Sequence, residues 1–164
     1  MVARLVLLAL LVMPAACLAA ASSVPGTYEV RICGSSCADG PAVAEGRLVL
    51  LAAPLRDASG APLMVGGMQP GNGCFRFARF RPHGLIGHSP AGTVIWSHSR
   101  PHSISVNFTP DGIDAFYIVN FQAAPGRMTG TGASDYASEP RPAPLPPDVV
   151  VARRVGPADP TQCK

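Results

Sequence analysis

The chain has 164 residues, a formal net charge of +3, 14% charged residues, 17 glycines and 18 prolines. Charge this sparse, against a norm of about 25%, with turn formers this frequent, excludes helical bundles and coiled coils and favours many short strands. The small positive balance lacks the clustered basic face that nucleic-acid binding requires. Its nearest approach, Arg76, Arg79 and Arg81 interleaved with Phe75, Phe77 and Phe80, reads as a half-buried strand with phenylalanine inward and arginine outward.

The chain opens with Met1-Val-Ala-Arg4, the unbroken apolar run 5–13, Pro14, and small residues through Ala21. Positive, apolar, then small is the order of a secretory signal peptide. The run falls short of the roughly 20 residues a membrane-spanning helix needs. Ala19-Ala20-Ala21 places cleavage before Ser22, so 1–21 is the expected signal and 22–164 a single exported domain. Ala15-Ala16-Cys17 offers the alternative. Cysteine after small residues resembles the lipobox of bacterial lipoproteins, with Pro14 where that motif takes an apolar residue such as leucine. An acylated Cys17 would hold the domain at a membrane surface. Lysine appears only at Lys164, and this arginine usage, with abundant Ala, Pro and Gly, points to a bacterium with GC-rich codons.

Cleavage or acylation removes Cys17 from the count and leaves Cys33, Cys37, Cys74 and Cys163. An even set in an exported chain reads as two disulfides, with three possible connectivities. Cys33–Cys37 with Cys74–Cys163 is the first expectation, and a crossed arrangement stays open. The spacing of Cys33 and Cys37 is also similar to that of periplasmic copper chaperones of the Sco type. That resemblance implies copper held by the two cysteines with a distant histidine, and His98 and His102, across a tight turn, are the candidate further ligands for copper or zinc. His83 and His88 precede them in a glycine-rich loop. A catalytic redox pair is not expected, because Cys33 ends a strand pattern instead of starting a helix.

Strand patterns follow in order: 28–33, 46–51, 74–80, and 93–98 with Val94 and Trp96 on one face. Residues 103–109 alternate without fault, Ile104, Val106 and Phe108 to one side. Thr109-Pro-Asp-Gly112 supplies turn chemistry. Residues 113–122 then place Ala115, Tyr117, Val119 and Phe121 on one face, which makes a hairpin. Phe116 to Val119 is apolar on both faces, so cover on both sides is expected. The last strands are 128–132 and 148–155, separated by the proline-rich stretch 138–147, a stiff surface loop. About eight short strands joined mostly by turns predict an all-β domain, an antiparallel meander closing as a barrel, with a two-sheet sandwich as the alternative.

Gly26-Thr27-Tyr28 on the first strand, with Arg153 and Arg154 in the last, resembles the lipocalin-like (calycin) barrels. In that family the tryptophan of a Gly-x-Trp on the first strand packs near an arginine or lysine beyond the last strand; here tyrosine stands for tryptophan and the arginines lie within that strand. The resemblance implies a cup that takes a small apolar ligand. Its candidate lining is Tyr28, Phe75, Phe77, Trp96, Phe108 and Tyr117, although packing into a core is the first expectation for each. No nucleophile elbow or zinc-protease motif occurs, so binding of a small apolar ligand or an envelope component, without catalysis and without a cofactor, is the functional expectation. Membrane contact is expected only through a lipid on Cys17.

Overall fold

The structure, a computed structural model, describes residues 24–38, 40–64, 69–80, 90–110, 115–136 and 146–164. The expected signal segment 1–21 with Cys17, residues Arg81, His83, His88, Asp111 and Gly112, and most of the proline-rich stretch lie outside the described residues.

Eight strands run in chain order: β1 Gly26–Cys33, β2 Ala42–Pro54, β3 Gly71–Phe80, β4 Ala91–Arg100, β5 Ser103–Pro110, β6 Ala115–Ala124, β7 Arg127–Tyr136 and β8 Asp148–Gly156. A 3-10 helix, Pro160–Cys163, follows. Every strand pairs antiparallel with the next, and β8 returns to pair with β1, so the meander closes into a barrel. The sandwich alternative is thereby set aside. β2, at 13 residues, is the longest strand and carries register shifts at Glu45/Gly46 and between Leu51 and Pro54. Such irregularities bend a strand and let a sheet curl. Closure leaves no unpaired edge, so no row of free backbone groups invites another chain.

Period-two alternation sends one face inward. Ile104, Val106 and Phe108 of β5, and Tyr117, Val119 and Phe121 of β6, are fully buried. They meet Val30, Ile32, Leu48, Leu50, Phe75, Phe77, Val94 and Val150 in one interior cluster. Each side chain removed from water in this way contributes roughly 1.5 to 3 kcal/mol. On the outward face of β6, Phe116 and Ile118 are half-buried. Among the described residues no second sheet covers them, so the expected two-sided cover is only partial.

One end of the barrel is plugged. Tyr28 is buried, and its hydroxyl donates to the Val24 carbonyl at 2.5 Å. Arg154, opposite Tyr28 in the β1–β8 register, donates from Nη2 to the Pro25 carbonyl at 2.8 Å. Thr27 Oγ1 donates to the Pro157 carbonyl at 2.7 Å. Arg153 instead points outward and pairs with Glu29 at 2.6 Å. Trp96 belongs to the same end: its Nε1 donates to the carbonyls of Leu51 (3.1 Å) and Asn72 (3.2 Å), and its indole lies where a Cβ on Gly71 would stand. Glycine is the residue at 71 because the indole occupies the side-chain space.

The two disulfides are Cys33–Cys37 and Cys74–Cys163, with Cα separations of 5.2 and 5.5 Å. The first expected connectivity is the observed one. Two disulfides fit an oxidising, extracellular-type environment. Among the described residues no helix is long and apolar enough to cross a membrane. The outward face of β1 to β3 carries Glu29, Arg31, Glu45, Arg47 and Arg76 while the interior is apolar, the reverse of a membrane-spanning barrel with its apolar outer band.

Candidate functional site

The connections β1–β2, β3–β4, β5–β6 and β7–β8 all leave from the end opposite the Tyr28–Arg154 plug. Four of the six aromatic candidates gather beneath that loop-bearing end. Ring centroids lie 5.2 Å apart for Phe75–Phe77, 5.4 Å for Phe75–Phe108, 5.9 Å for Phe77–Phe108 and 6.2 Å for Phe108–Tyr117. Edge and tilted contacts at such distances add to the burial energy of each ring. The other two candidates, Tyr28 and Trp96, sit at the plugged end and take no part in this cluster. All six are at most 7% exposed and belong to the interior cluster.

Above the aromatic cluster stands a polar pair. Asp148, first residue of β8, is 2% exposed and accepts a hydrogen bond from the Tyr117 hydroxyl at 2.8 Å. A buried carboxylate in an otherwise apolar interior is unfavourable by several kcal/mol unless hydrogen-bonded. Burial first, and then the adjacent Asp148 carboxylate, hold the Tyr117 phenol far above its ordinary ionisation range. It therefore remains a donor. At the plugged end, burial likewise raises Tyr28, opposed by the nearby Arg154 charge.

The barrel makes room for this pair at Gly132, opposite Asp148 across β7–β8, where a Cβ would overlap the Tyr117 hydroxyl. Gly132→Ala is accordingly expected to push the phenol off Asp148 and to lower stability by about 1 to 3 kcal/mol. A urea midpoint measured beside the wild type checks this, and an unchanged midpoint contradicts the packing described.

Asp148 is the residue that sequence patterning missed. Val149, Val150 and Val151 follow it, apolar on both faces, so the inward phase of β8 is not readable locally. Only the pairing of Gly132 with Asp148 and of Val30 with Ala152 sets it. Its sole local signal is an acidic residue at the head of a valine run.

The alternative metal set of Cys33, Cys37, His98 and His102 is not brought together. Cys33 and Cys37 are joined at the loop-bearing end, with Cys37 Sγ 3.6 Å from the Val149 carbonyl. His98 and His102 stand exposed at the β4–β5 turn, on the opposite end. Both thiols are consumed in the disulfide, and the length of the barrel separates them from the two histidines. Among the described residues no group of three or more His, Cys, Asp and Glu could hold a metal ion.

Fold and site together define a disulfide-stapled, eight-stranded antiparallel barrel domain with a buried Tyr–Asp pair at one end. No protein-family model matches the chain, and no curated protein or solved structure shows significant similarity to it.

Proposed function

We propose that this chain is an exported bacterial barrel domain of lipocalin-like type that binds a small, largely apolar ligand carrying one hydrogen-bond donor at its loop-bearing end. The observation that carries the reading is the Tyr117–Asp148 pair above the Phe75–Phe77–Phe108 cluster. Ligand sites combine apolar walls with a few placed polar groups that orient the bound molecule. A carboxylate at this depth also offers an acceptor to a ligand hydroxyl or amine at the mouth. The lower interior is packed with fully buried side chains, so the ligand rests on the aromatic cluster instead of descending to the Tyr28 plug. Export is supported by the signal-like segment 1–21 and by the two disulfides. Acylation at Cys17 is the alternative that keeps the domain at the cell envelope.

N-phenylnaphthylamine, an apolar fluorophore with a single N–H donor, tests the reading. Saturable fluorescence enhancement is expected with the full exported protein. Asp148→Asn, which keeps shape and removes charge, should weaken it by about tenfold, the equivalent of one charge-assisted hydrogen bond. Absence of saturable binding, or equal binding by the variant, overturns the proposal.

A further inference from the structure

On the outward face, away from the interior, the charges of β8, β1, β2 and β3 are unevenly matched. Glu29 stands opposite both Arg47 and Arg153 in register, and its carboxylate bonds Arg153 at 2.6 Å. Glu45 stands opposite both Arg31 and Arg79, and its carboxylate bonds Arg31 at 2.7 Å. Arg47 and Arg76 are left facing each other directly across the β2–β3 ladder. Like charges directly opposite are destabilising, and a counter-charge between them would relieve this.

What closes over the two arginines brings no acidic side chain. The Cys74–Cys163 disulfide holds the 3-10 helix against β3 and carries Gln162 and Lys164 across the ladder. Arg47 Nη1 donates to Gln162 Oε1 at 3.1 Å, and Arg76 Nη2 donates to the main-chain oxygen of Lys164 at 3.0 Å. The result is a cleft of about 240 Å³ walled by Arg47, Val49, Cys74, Arg76, Gln162 and Lys164. Three side chains of this wall are cationic and none is acidic. A second cleft of about 260 Å³ on the flank of the same tail also includes Arg76 and Gln162. Guanidinium groups present planar forks of donors that match tetrahedral and planar oxyanions. Each of these two forks uses one nitrogen in the bonds above and has further N–H groups to offer.

We propose that the cleft between β2, β3 and the disulfide-held tail is a binding site for a phosphate-type oxyanion, with Arg47 and Arg76 as its two ligating side chains. The group is either a free phosphate or the phosphate of a lipid head, and it accepts from the N–H groups that the two guanidinium forks do not use in the tail bonds. The site is independent of the Tyr117–Asp148 pair, which faces the interior.

Titration of the full exported protein with inorganic phosphate, against sodium chloride at matched ionic strength, tests the site. A second titration uses phosphatidylcholine vesicles containing phosphatidic acid. The expected result is saturable binding of phosphate, or of the phosphatidic acid vesicles alone where the lipid head is the source. Arg47→Gln and Arg76→Gln should each weaken it about tenfold or more, and Arg127→Gln, on β7 outside the cleft, should leave it unchanged. All three positions are exposed, so the folded state survives the changes. Binding of neither probe, a response that chloride reproduces, or equal loss in the Arg127 variant overturns the proposal.

Discussion

A Cys74→Ser/Cys163→Ser double variant is expected to lose about 4 to 5 kcal/mol of stability, with Tm falling by roughly 15 °C. The bond spans 89 residues, so cutting it returns a large loop-closure entropy to the unfolded chain. The folded barrel loses little in exchange, because the strand ladder from β1 to β8 does not depend on the tail. The corresponding Cys33→Ser/Cys37→Ser variant opens a loop of separation 4 and should lose only about 2 kcal/mol on the same reasoning. Urea unfolding of both variants beside the wild type decides the matter. Equal losses would show that the entropy of the unfolded chain is not what these bonds control. The long bond has a local consequence too: it holds the tail beside Val49, which is buried at 1% exposure on the outward side of β2.

The second large effect lies at the buried pair. Tyr117→Phe removes the donor to Asp148 and leaves the cavity almost unchanged in shape. The loss near neutral pH should be about 2 to 3 kcal/mol, the cost of depriving a buried acceptor of its hydrogen bond. The pH dependence carries a sharper signature. In the unfolded chain the phenol ionises near its ordinary value of 10.0, whereas in the barrel burial and the Asp148 carboxylate hold it protonated far above that. A folded-state value raised above the unfolded one makes its stabilisation complete below pH about 10, with loss as pH climbs beyond. Each raised phenol contributes a slope of up to about 1.4 kcal/mol per pH unit in that range. Tyr28, raised for the same first reason, adds to the wild-type slope. Tyr117→Phe should therefore show a visibly shallower alkaline decline than the wild type. Urea midpoints across the alkaline range measure it, and parallel curves would contradict a buried Tyr117 phenol.

Much of this architecture is written locally. The faultless alternation of 103–109 and the hairpin to 113–122 name their inward residues, and Ile104, Val106, Phe108, Tyr117, Val119 and Phe121 are all buried as expected. Asp111 and Gly112 of the turn between them lie outside the described residues, yet strand phase alone is enough to set the hairpin's faces. Cysteine parity and the nearness of Cys33 to Cys37 pointed to the observed pairing. The Gly26-Thr27-Tyr28 pattern also meets its basic residue. It is Arg154 that stands opposite Tyr28, since a register shift between Thr27 and Tyr28 turns Arg153 outward to Glu29.

By itself the sequence determined the all-β class, the number and order of the strands and the buried face of the central hairpin, because period-two alternation, turn residues and short loops are local properties of the chain. Only the tertiary structure decided that β8 closes on β1, that Asp148 lies buried against Tyr117, that Arg47 meets Arg76 beneath the tail, and that the cysteine pair and the histidines stand at opposite ends. Those facts depend on register between strands far apart in the chain. In a valine run such as Val149-Val150-Val151, which is apolar on both faces, a one-residue slip exchanges inside for outside with no local trace.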